Sequence, residues 1–313
     1  MKNLPKAVDV SVSSPSTPQL ALIHVRQSAY SGTLAEEVIS WMNDFGLLRD
    51  KERLDRVVAM DVGAYAGCSY PNGGHADLLL YAKYITLWLL WDDFVIETGG
   101  GNGEIIYRIF SLRETPDMAD PYMRAWWSVV SDLRQRNGSQ EYLECLARSM
   151  QTWFDAAVME RASAWHAVMG DFGTYFDRRL MTIGMVQTAL LLQVFAGVRV
   201  ADSGETREMV RDSCKIVGMA NEVVSFHKDS EWINLINVYS NIHGCETDKA
   251  RAAIIRIHNE SVISLDSRVR NCSGNVRIWG EALQYCAEGF SYWHTLCPRY
   301  ASSHTTAIIL ASS

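Results

Sequence analysis

The placement of proline limits what this chain can fold into. Seven prolines occur in 313 residues, and none lies between Pro121 and Pro298. Because proline breaks helix interiors, this stretch permits several long helices in succession. Apolar residues recur at helical spacing from Thr33 onward, and no Asn-Gly step is flanked by the alternation of a hairpin. The sequence therefore predicts an all-α chain, with helix candidates at 33–45, 51–65, 77–97, 103–112, 120–136, 139–162, 172–197, 204–229, 232–242, 247–271 and 275–296.

Composition predicts one sizeable domain. Apolar residues make up 48% of the chain, which is enough for a core, and neither a linker nor a repeat interrupts the helix-like stretches. Residues 1–20 are rich in Ser, Pro and Val and predict a flexible leader, and residues 301–313 predict a C-terminal tail. The domain itself is expected to span 21–300.

Charge and cysteine content narrow the partners and the compartment. The net charge of −7 argues against a general nucleic-acid surface. Seven cysteines without a CxxC pair favour a reduced, cytoplasmic protein over a disulfide scaffold. The start has no signal-peptide core and no apolar run reaches about 18 residues, so no stable membrane insertion is expected. A homodimer is left open.

Three carboxylates, Asp92, Asp93 and Glu97, end the most apolar helix candidate. Asp93 and Glu97 share a helix face, and Asp92 is turned roughly 100° away. Buried neighbouring carboxylates need a cation to compensate them, and oxygen ligands suit a hard cation such as Mg²⁺. An ordinary solvated helix end is the alternative, although helix C-termini disfavour negative charge.

A polar stripe marks a second candidate site. Asn221, Ser225 and Asp229 follow i, i+4, i+8 spacing and project along one side of a helix. An amide oxygen, a hydroxyl and a carboxylate stacked in this way can chelate one hard cation, and Lys228 beside them could bind an anion next to it. A solvent-facing polar stripe is the alternative, since most helices have one.

An arginine and a tyrosine follow the last strong helix candidate. Arg299 and Tyr300 come directly after Pro298 and offer a fork of donors and a phenol donor, which suit phosphate recognition. An Arg-Tyr pair is common, so it carries weight only together with the other motifs.

In this order and at these separations, the three motifs resemble those of microbial class I terpene synthases. Residues 92–97 are similar to the family's aspartate-rich motif in its looser form, residues 221–229 to its second metal motif, and Arg299-Tyr300 to its closing Arg-Tyr pair. The resemblance extends over about residues 20–300. It implies a single-domain helical bundle around a central apolar pocket.

The chain departs from the family's pattern at three positions. Asp229 stands where the family usually has Glu, Glu222 where Asp is common, and Ile96 where the stricter acidic motif has its last Asp. Glu222 is not at a position that usually binds metal in the family. The shorter side chain of Asp229 keeps an inactive cyclase among the alternatives.

The resemblance also implies an arginine that senses diphosphate, upstream of the second motif. In the family, a small linker residue follows it three positions on, and then an effector whose carbonyl faces the substrate. Arg179, Thr182 and Ile183 fit that phase, whereas Arg178 would place Met181 in the linker position. Arg179 is therefore the expected sensor.

The function implied by the resemblance is a magnesium-dependent lyase reaction, in which an isoprenoid diphosphate loses diphosphate and the carbocation cyclises. Three Mg²⁺ ions are expected, two on the side of Asp92, Asp93 and Glu97 and one on Asn221, Ser225 and Asp229. Diphosphate oxygens would be held by Arg179, Lys228, Arg299 and Tyr300. Direct catalytic roles are expected for Asp92, Arg179, Arg299 and Tyr300.

The pocket of such an enzyme must exclude water and fold the hydrocarbon, which apolar and aromatic side chains do. Candidates for its wall are Tyr65, Trp88, Phe94, Thr182, Ile183, Phe226 and Trp293, with plain core packing as the alternative for each aromatic. A single small domain favours farnesyl diphosphate as substrate and a sesquiterpene as product.

Three alternative functions remain from the sequence. A diterpene synthase would use geranylgeranyl diphosphate or a bicyclic, labdane-type diphosphate. A chain-elongating prenyl transferase has a similar fold but carries two full aspartate-rich motifs, which this chain lacks. A non-catalytic helical binding protein would carry the acids only as surface charges.

Overall fold

The chain folds as a bundle of α-helices. The computed structural model describes residues 19–92, 103–136, 139–161, 172–226, 234–297 and 308–310. This arrangement confirms the predicted all-α class. The elements within these residues are β1 (Leu20–Leu22), α1 (Ser31–Asp44), α2 (Lys51–Met60), α3 (Val62–Ser69), α4 (His75–Trp91), α5 (Gly103–Ser111), α6 (Pro121–Gln135), α7 (Gln140–Arg161), α8 (Phe172–Thr182), α9 (Met185–Phe195), α10 (Gly204–Ser225), α11 (Leu235–His243), α12 (Thr247–Asn271), α13 (Gly274–Leu296) and β2 (Ile308–Leu310).

Helix α4 lies at the centre of the bundle because it is apolar on nearly every side. Most of its residues from Leu78 to Trp91 are buried, and it packs against α1, α3 and α6. A helix without a polar face has no side to present to water. Within the described part of the chain, no helix is both long and apolar enough to cross a membrane.

Helix α10 forms a second centre, packed against α12 and α13. A capping box between Ser203 and Thr206 fixes its start. Its last two turns, from Gly218 to Ser225, are buried except for the half-buried Asn221. The polar residues at this end therefore lie inside the bundle and do not face bulk water.

Two predicted helices are each broken in the structure. The candidate at 51–65 is interrupted by Asp61, which is left-handed (φ 44°) and whose side chain caps Ala64 N at 3.2 Å. Asp tolerates this conformation better than most residues. The candidate at 172–197 is interrupted at Gly184, which has φ 80°. A left-handed residue ends the helical hydrogen-bond ladder, and apolar periodicity does not reveal it.

A short parallel ladder joins the two ends of the chain. β1 pairs with β2 in the register Leu20 to Ile308, a ladder that the sequence did not predict because three-residue strands show no periodicity. Of the predicted leader, only Gln19 and Leu20 are described, and of the predicted tail only residues 308–310.

A buried group that we call the strap clamp (His258, Asn259 and Glu288) holds residues 19–24. The Asn259 amide accepts from Ala21 N at 2.9 Å and donates to Gln19 O at 3.0 Å. Glu288 Oε2 accepts from Ile23 N at 2.5 Å and His24 N at 2.7 Å. The side chains thus supply the partners that an edge strand would otherwise lack.

Candidate active site

Asp92 caps the C-terminal end of the central helix. It follows Trp91, keeps helical backbone angles (φ −55°, ψ −53°), and its side chain is half-buried. Trp88 stands one turn earlier, on the same helix face. The other predicted residues of this motif, Asp93, Phe94 and Glu97, lie outside the described residues.

Trp88 connects this helix face to the break between α8 and α9. A Cβ built on Gly184 would lie 2.5 Å from ring atoms of Trp88, so only glycine allows this contact. The Trp88 and Trp153 ring centroids are 5.1 Å apart, and Trp153 Nε1 donates to the Thr182 carbonyl oxygen at 3.0 Å. Thr182 and Ile183 are both buried. The predicted linker and effector residues therefore adjoin the helix that ends in Asp92.

Arg179 reaches from the last turn of α8 to the end of α10. Its Nε donates to Glu222 Oε1 at 2.5 Å, its Nη2 to Asn221 Oδ1 at 2.6 Å, and its Nη1 to Thr182 Oγ1 at 3.1 Å. The guanidinium thus contacts the predicted metal motif and the predicted linker at the same time. Arg178 is one position away on the helix, and no contact of it with either group is part of this network.

Asn221 and Ser225 lie one turn apart at the end of α10, as their spacing predicts. The Ser225 side chain is only 4% exposed, and its Oγ has no hydrogen-bond partner among the described residues. A buried hydroxyl without a partner is costly, so it marks a position where a ligand would be favourable. Lys228 and Asp229, predicted to complete this motif, lie outside the described residues.

Glu222 is the residue that the sequence did not single out. It is 3% exposed, and besides Arg179 its Oε2 accepts from Leu235 N at 2.7 Å. Asn234 Nδ2 donates to the Glu222 carbonyl oxygen at 2.9 Å and caps α11. A carboxylate next to an expected ligand was a signal in the sequence, but its partner on α8 is 43 residues away and only the fold reveals it.

His294 is the second such residue. It lies on the last turn of α13, is 1% exposed, and its Nε2 is 3.1 Å from Asn221 Nδ2. An isolated histidine on an apolar helix gives no signal of this contact in the sequence. We call Arg179, Asn221, Glu222 and His294 the arginine cluster.

The predicted wall aromatics lie in different surroundings. Tyr65 and Trp293 are buried and their ring centroids are 4.9 Å apart, with Trp293 Nε1 donating to Met60 O at 2.9 Å. Burial raises the pKa of Tyr65 well above its usual value, so its phenol stays protonated. Trp88 and Phe226 are half-buried, and Arg251 lies 5.1 Å above the Phe226 ring.

The donor set at the end of α10 fits a hard cation. Asn221 offers an amide oxygen and Ser225 an unpartnered hydroxyl, one turn apart, and Asp92 supplies a carboxylate at the end of α4. Oxygen ligands of this kind suit Mg²⁺. Arg299 and Tyr300, predicted to contact diphosphate, lie outside the described residues, although Cys297 ends α13 close before them.

Characterised relatives carry terpene synthase names. A sesquiterpene synthase of Metarhizium guizhouense is 24% identical over 71% of this chain and 68% of its own length. Pentalenene synthase of Streptomyces arenae is 24% identical over 84% of this chain and 80% of its own length. The (−)-β-caryophyllene synthase of Saccharothrix espanaensis, named as cyclising (2E,6E)-farnesyl diphosphate, is 24% identical over 78% of this chain and 74% of its own length.

Solved structures share the fold. SVS_A2, a protein from ancestral sequence reconstruction, superposes with a TM-score of 0.78 at 14% identity and covers 95% of this chain and 92% of its own. The linalool/nerolidol synthase of Streptomyces clavuligerus gives a TM-score of 0.74 at 18% identity, with coverage of 88% and 100%.

The model of terpene synthase family 2, described as C-terminal metal binding, matches residues 83–263. This range is more than half of the 313 residues and contains Asp92, Arg179, Asn221 and Ser225. The motifs, the helical fold and the named relatives agree with that match, and the chain therefore belongs to terpene synthase family 2, the microbial class I terpene synthases.

Proposed function

We propose that this terpene synthase uses magnesium to ionise farnesyl diphosphate and cyclises the resulting carbocation to a sesquiterpene. The observation that supports this most directly is the arrangement of Arg179, Asn221 and the buried Ser225 hydroxyl at the ends of α8 and α10. Loss of diphosphate separates charge, and groups fixed in place around the departing anion stabilise that charge as it develops.

Three Mg²⁺ ions would be held by two sets of oxygen ligands. Asp92, with Asp93 and Glu97, would hold two of them, and Asn221, Ser225 and Asp229 the third. When bound, the ions neutralise the diphosphate and polarise its oxygens. The chain has a net charge of −7, so a site for a polyanion in it needs such local positive charge.

Arg179 would bind diphosphate together with Lys228, Arg299 and Tyr300. Its side chain is 17% exposed, and Glu222 holds its Nε while Nη1 and Nη2 extend toward Thr182 and Asn221. A guanidinium fixed at Nε still offers N–H donors at its outer edge, the geometry that suits phosphate oxygens. Glu222 would therefore orient the sensor without binding the anion.

The wall next to Asp92 would receive the reacting end of the hydrocarbon. Trp88 is half-buried, one helical turn from Asp92, and it packs against the segment that carries Ile183. An aromatic face so close to the leaving diphosphate can stabilise the allylic cation. Tyr65 and Trp293 would support this wall from behind, since both are buried against each other. Phe94 and Phe226 complete the proposed wall.

Farnesyl diphosphate is the preferred substrate on two grounds. The relatives include enzymes named sesquiterpene synthase, and one whose name specifies (2E,6E)-farnesyl diphosphate. A single helical domain of this size is also typical of microbial sesquiterpene cyclases, as the resemblance implies.

The direct test offers purified protein the ten-, fifteen- and twenty-carbon diphosphates, with Mg²⁺ or EDTA, and analyses the hexane extract by gas chromatography and mass spectrometry. We expect a cyclic product from farnesyl diphosphate that disappears with EDTA. Asp92→Ala and Asn221→Ala should abolish it. Matched controls are Asp44→Ala, an exposed aspartate that also ends a helix, and Asn271→Ala, an exposed asparagine at the end of α12, which should both retain it.

Other outcomes would identify the alternatives. A cyclic product from geranylgeranyl diphosphate only, or from a bicyclic diphosphate supplied in its place, would make the protein a diterpene synthase. A longer linear diphosphate formed with a five-carbon co-substrate would make it an elongating transferase. No turnover together with no magnesium-dependent binding of diphosphate would contradict the proposal altogether.

A further inference from the structure

The Asn221 carboxamide is held from both sides by ionisable side chains. Arg179 Nη2 lies 2.6 Å from Asn221 Oδ1, and His294 Nε2 lies 3.1 Å from Asn221 Nδ2. The three groups come from α8, α10 and α13, so the contact brings together the ends of three helices.

Hydrogen-bond chemistry allows one arrangement of protons in this chain. A guanidinium has donors and no acceptor, so the atom facing Arg179 must be the amide oxygen. The amide NH₂ then faces His294, and Nε2 must be the acceptor. His294 is therefore neutral in this arrangement, with its proton on Nδ1.

The imidazole is positioned firmly enough to impose this orientation. Its ring centroid lies 4.4 Å from that of Phe290 and 5.2 Å from that of Trp293, and the side chain is 1% exposed. Trp293 is in turn fixed by its bond to Met60 O. A ring packed in this way cannot turn to follow the amide, so the amide follows the ring.

We propose that His294 is a positioning residue for the metal-binding end of α10: it accepts from Asn221 Nδ2 and so keeps Oδ1, the atom that a cation would bind, directed into the site. This inference rests on the proposed function. Without the acceptor at position 294, the amide can rotate by half a turn and present NH₂ to the cation. The Arg179 bond alone does not prevent this, because the oxygen cannot serve the arginine and remain fully available to a cation.

The test measures magnesium binding without turnover. Thermal unfolding is followed at increasing Mg²⁺ in the presence of inorganic diphosphate, and the midpoint concentration for stabilisation is recorded. Partners that orient metal ligands typically change metal affinity by 10- to 100-fold. We expect His294→Leu to raise the Mg²⁺ midpoint by about tenfold or more. The Gln amide can place its oxygen near the Nε2 position, so His294→Gln should remain within about threefold of wild type, whereas His294→Asn, whose amide is too short, should resemble His294→Leu.

A matched control and a double mutant separate positioning from packing. Ser291→Ala alters a buried polar residue one turn earlier on α13, whose Oγ donates to Ala287 O at 2.9 Å within the helix, and it should leave the midpoint unchanged. In an Asn221→Asp background both carboxylate oxygens can face a cation, so His294→Leu should no longer matter. A purely structural role would raise the midpoint in both backgrounds.

The failure of this inference differs from the failure of the proposed function. If the wild-type protein shows no stabilisation by Mg²⁺ and diphosphate, the proposed function is contradicted. If the wild type is stabilised and His294→Leu matches it, the function stands and the inference is wrong. If His294→Leu does not fold, the contrast between His294→Gln and His294→Asn decides, and equal midpoints for these two would overturn the inference.

Discussion

The arginine cluster and the strap clamp bury a carboxylate in two different ways. Glu222 is 3% exposed and shares its charge with a guanidinium and one backbone N–H, whereas Glu288 is fully buried and accepts from two backbone N–H groups through a single oxygen. Glu288 Oε1 has no hydrogen-bond partner among the described residues. Burial raises the pKa of Glu288 above its usual value, which the two backbone bonds only partly offset.

The difference separates a functional arrangement from a structural one. Side-chain partners such as Arg179 can exchange one acceptor for another by rotation, so the arginine cluster can serve a ligand. Backbone partners are fixed by the fold, so the strap clamp holds residues 19–24 in place and offers no group to a substrate. The comparison predicts that neutralising Glu222 costs far more than neutralising Glu288.

Glu222→Gln should produce the largest loss of stability. It removes the carboxylate from a buried ion pair and leaves the guanidinium of Arg179 in place, a change that typically costs about 3 kcal/mol. Chemical denaturation of the variant measures this. The matched control is Glu281→Gln, because Arg277 Nε also contacts Glu281 Oε1 at 2.5 Å but on the surface, where the pair contributes less than about 1 kcal/mol. Equal losses in the two variants would contradict the distinction between buried and exposed pairs.

Acid should weaken the strap clamp through His258. Burial lowers the pKa of this imidazole from 6.5 to about 4, and its Nδ1 is 2.9 Å from Asn259 Oδ1. Between these pKa values the unfolded chain binds the proton more readily than the folded protein, so stability falls as the pH decreases from 6.5 toward 4. The loss attributable to His258 is about 3 kcal/mol at pH 4. Unfolding free energies measured across this range should decline less steeply in His258→Asn, and identical slopes would show that His258 does not titrate in this way.

Much of this contrast was predictable from the sequence on the metal side and almost none of it on the strap side. Helical spacing places Asn221 and Ser225 on one stripe, and the family phase selects Arg179, because both depend on residues close in the chain. The contacts of His294 and Glu222 and the pairing of Leu20 with Ile308 join residues that are far apart, and no local pattern encodes them. The helices themselves were predicted by apolar periodicity, but the breaks at Asp61 and Gly184 depend on single left-handed residues.

Glu288→Gln should change stability little at neutral pH and should reverse the usual effect of removing a charge. The carboxamide oxygen can still accept from Ile23 N and His24 N, while the cost of burying a charge disappears. Because the folded pKa is raised, the carboxyl favours the folded state below pH 4.5, and that advantage is lost as the pH rises through the raised pKa. The stability of the variant relative to wild type should therefore increase with pH from 4.5 upward. A relative stability that decreases over the same range would contradict the raised pKa.

Ser225→Ala should have the smallest effect on stability and still disable the proposed metal site. Its Oγ has no hydrogen-bond partner among the described residues, so its removal should change the unfolding free energy by less than about 0.5 kcal/mol. The Mg²⁺ midpoint in the presence of inorganic diphosphate should nevertheless rise about tenfold, because one of the proposed ligands is lost. Ser213→Ala is the matched control: it is a buried serine on the same helix whose Oγ already donates to Val210 O at 2.7 Å. That variant should keep the wild-type midpoint. If Ser225→Ala also keeps it, the unpartnered hydroxyl is only a packing defect, and the contrast between an exchangeable cluster and a fixed clamp loses its functional half.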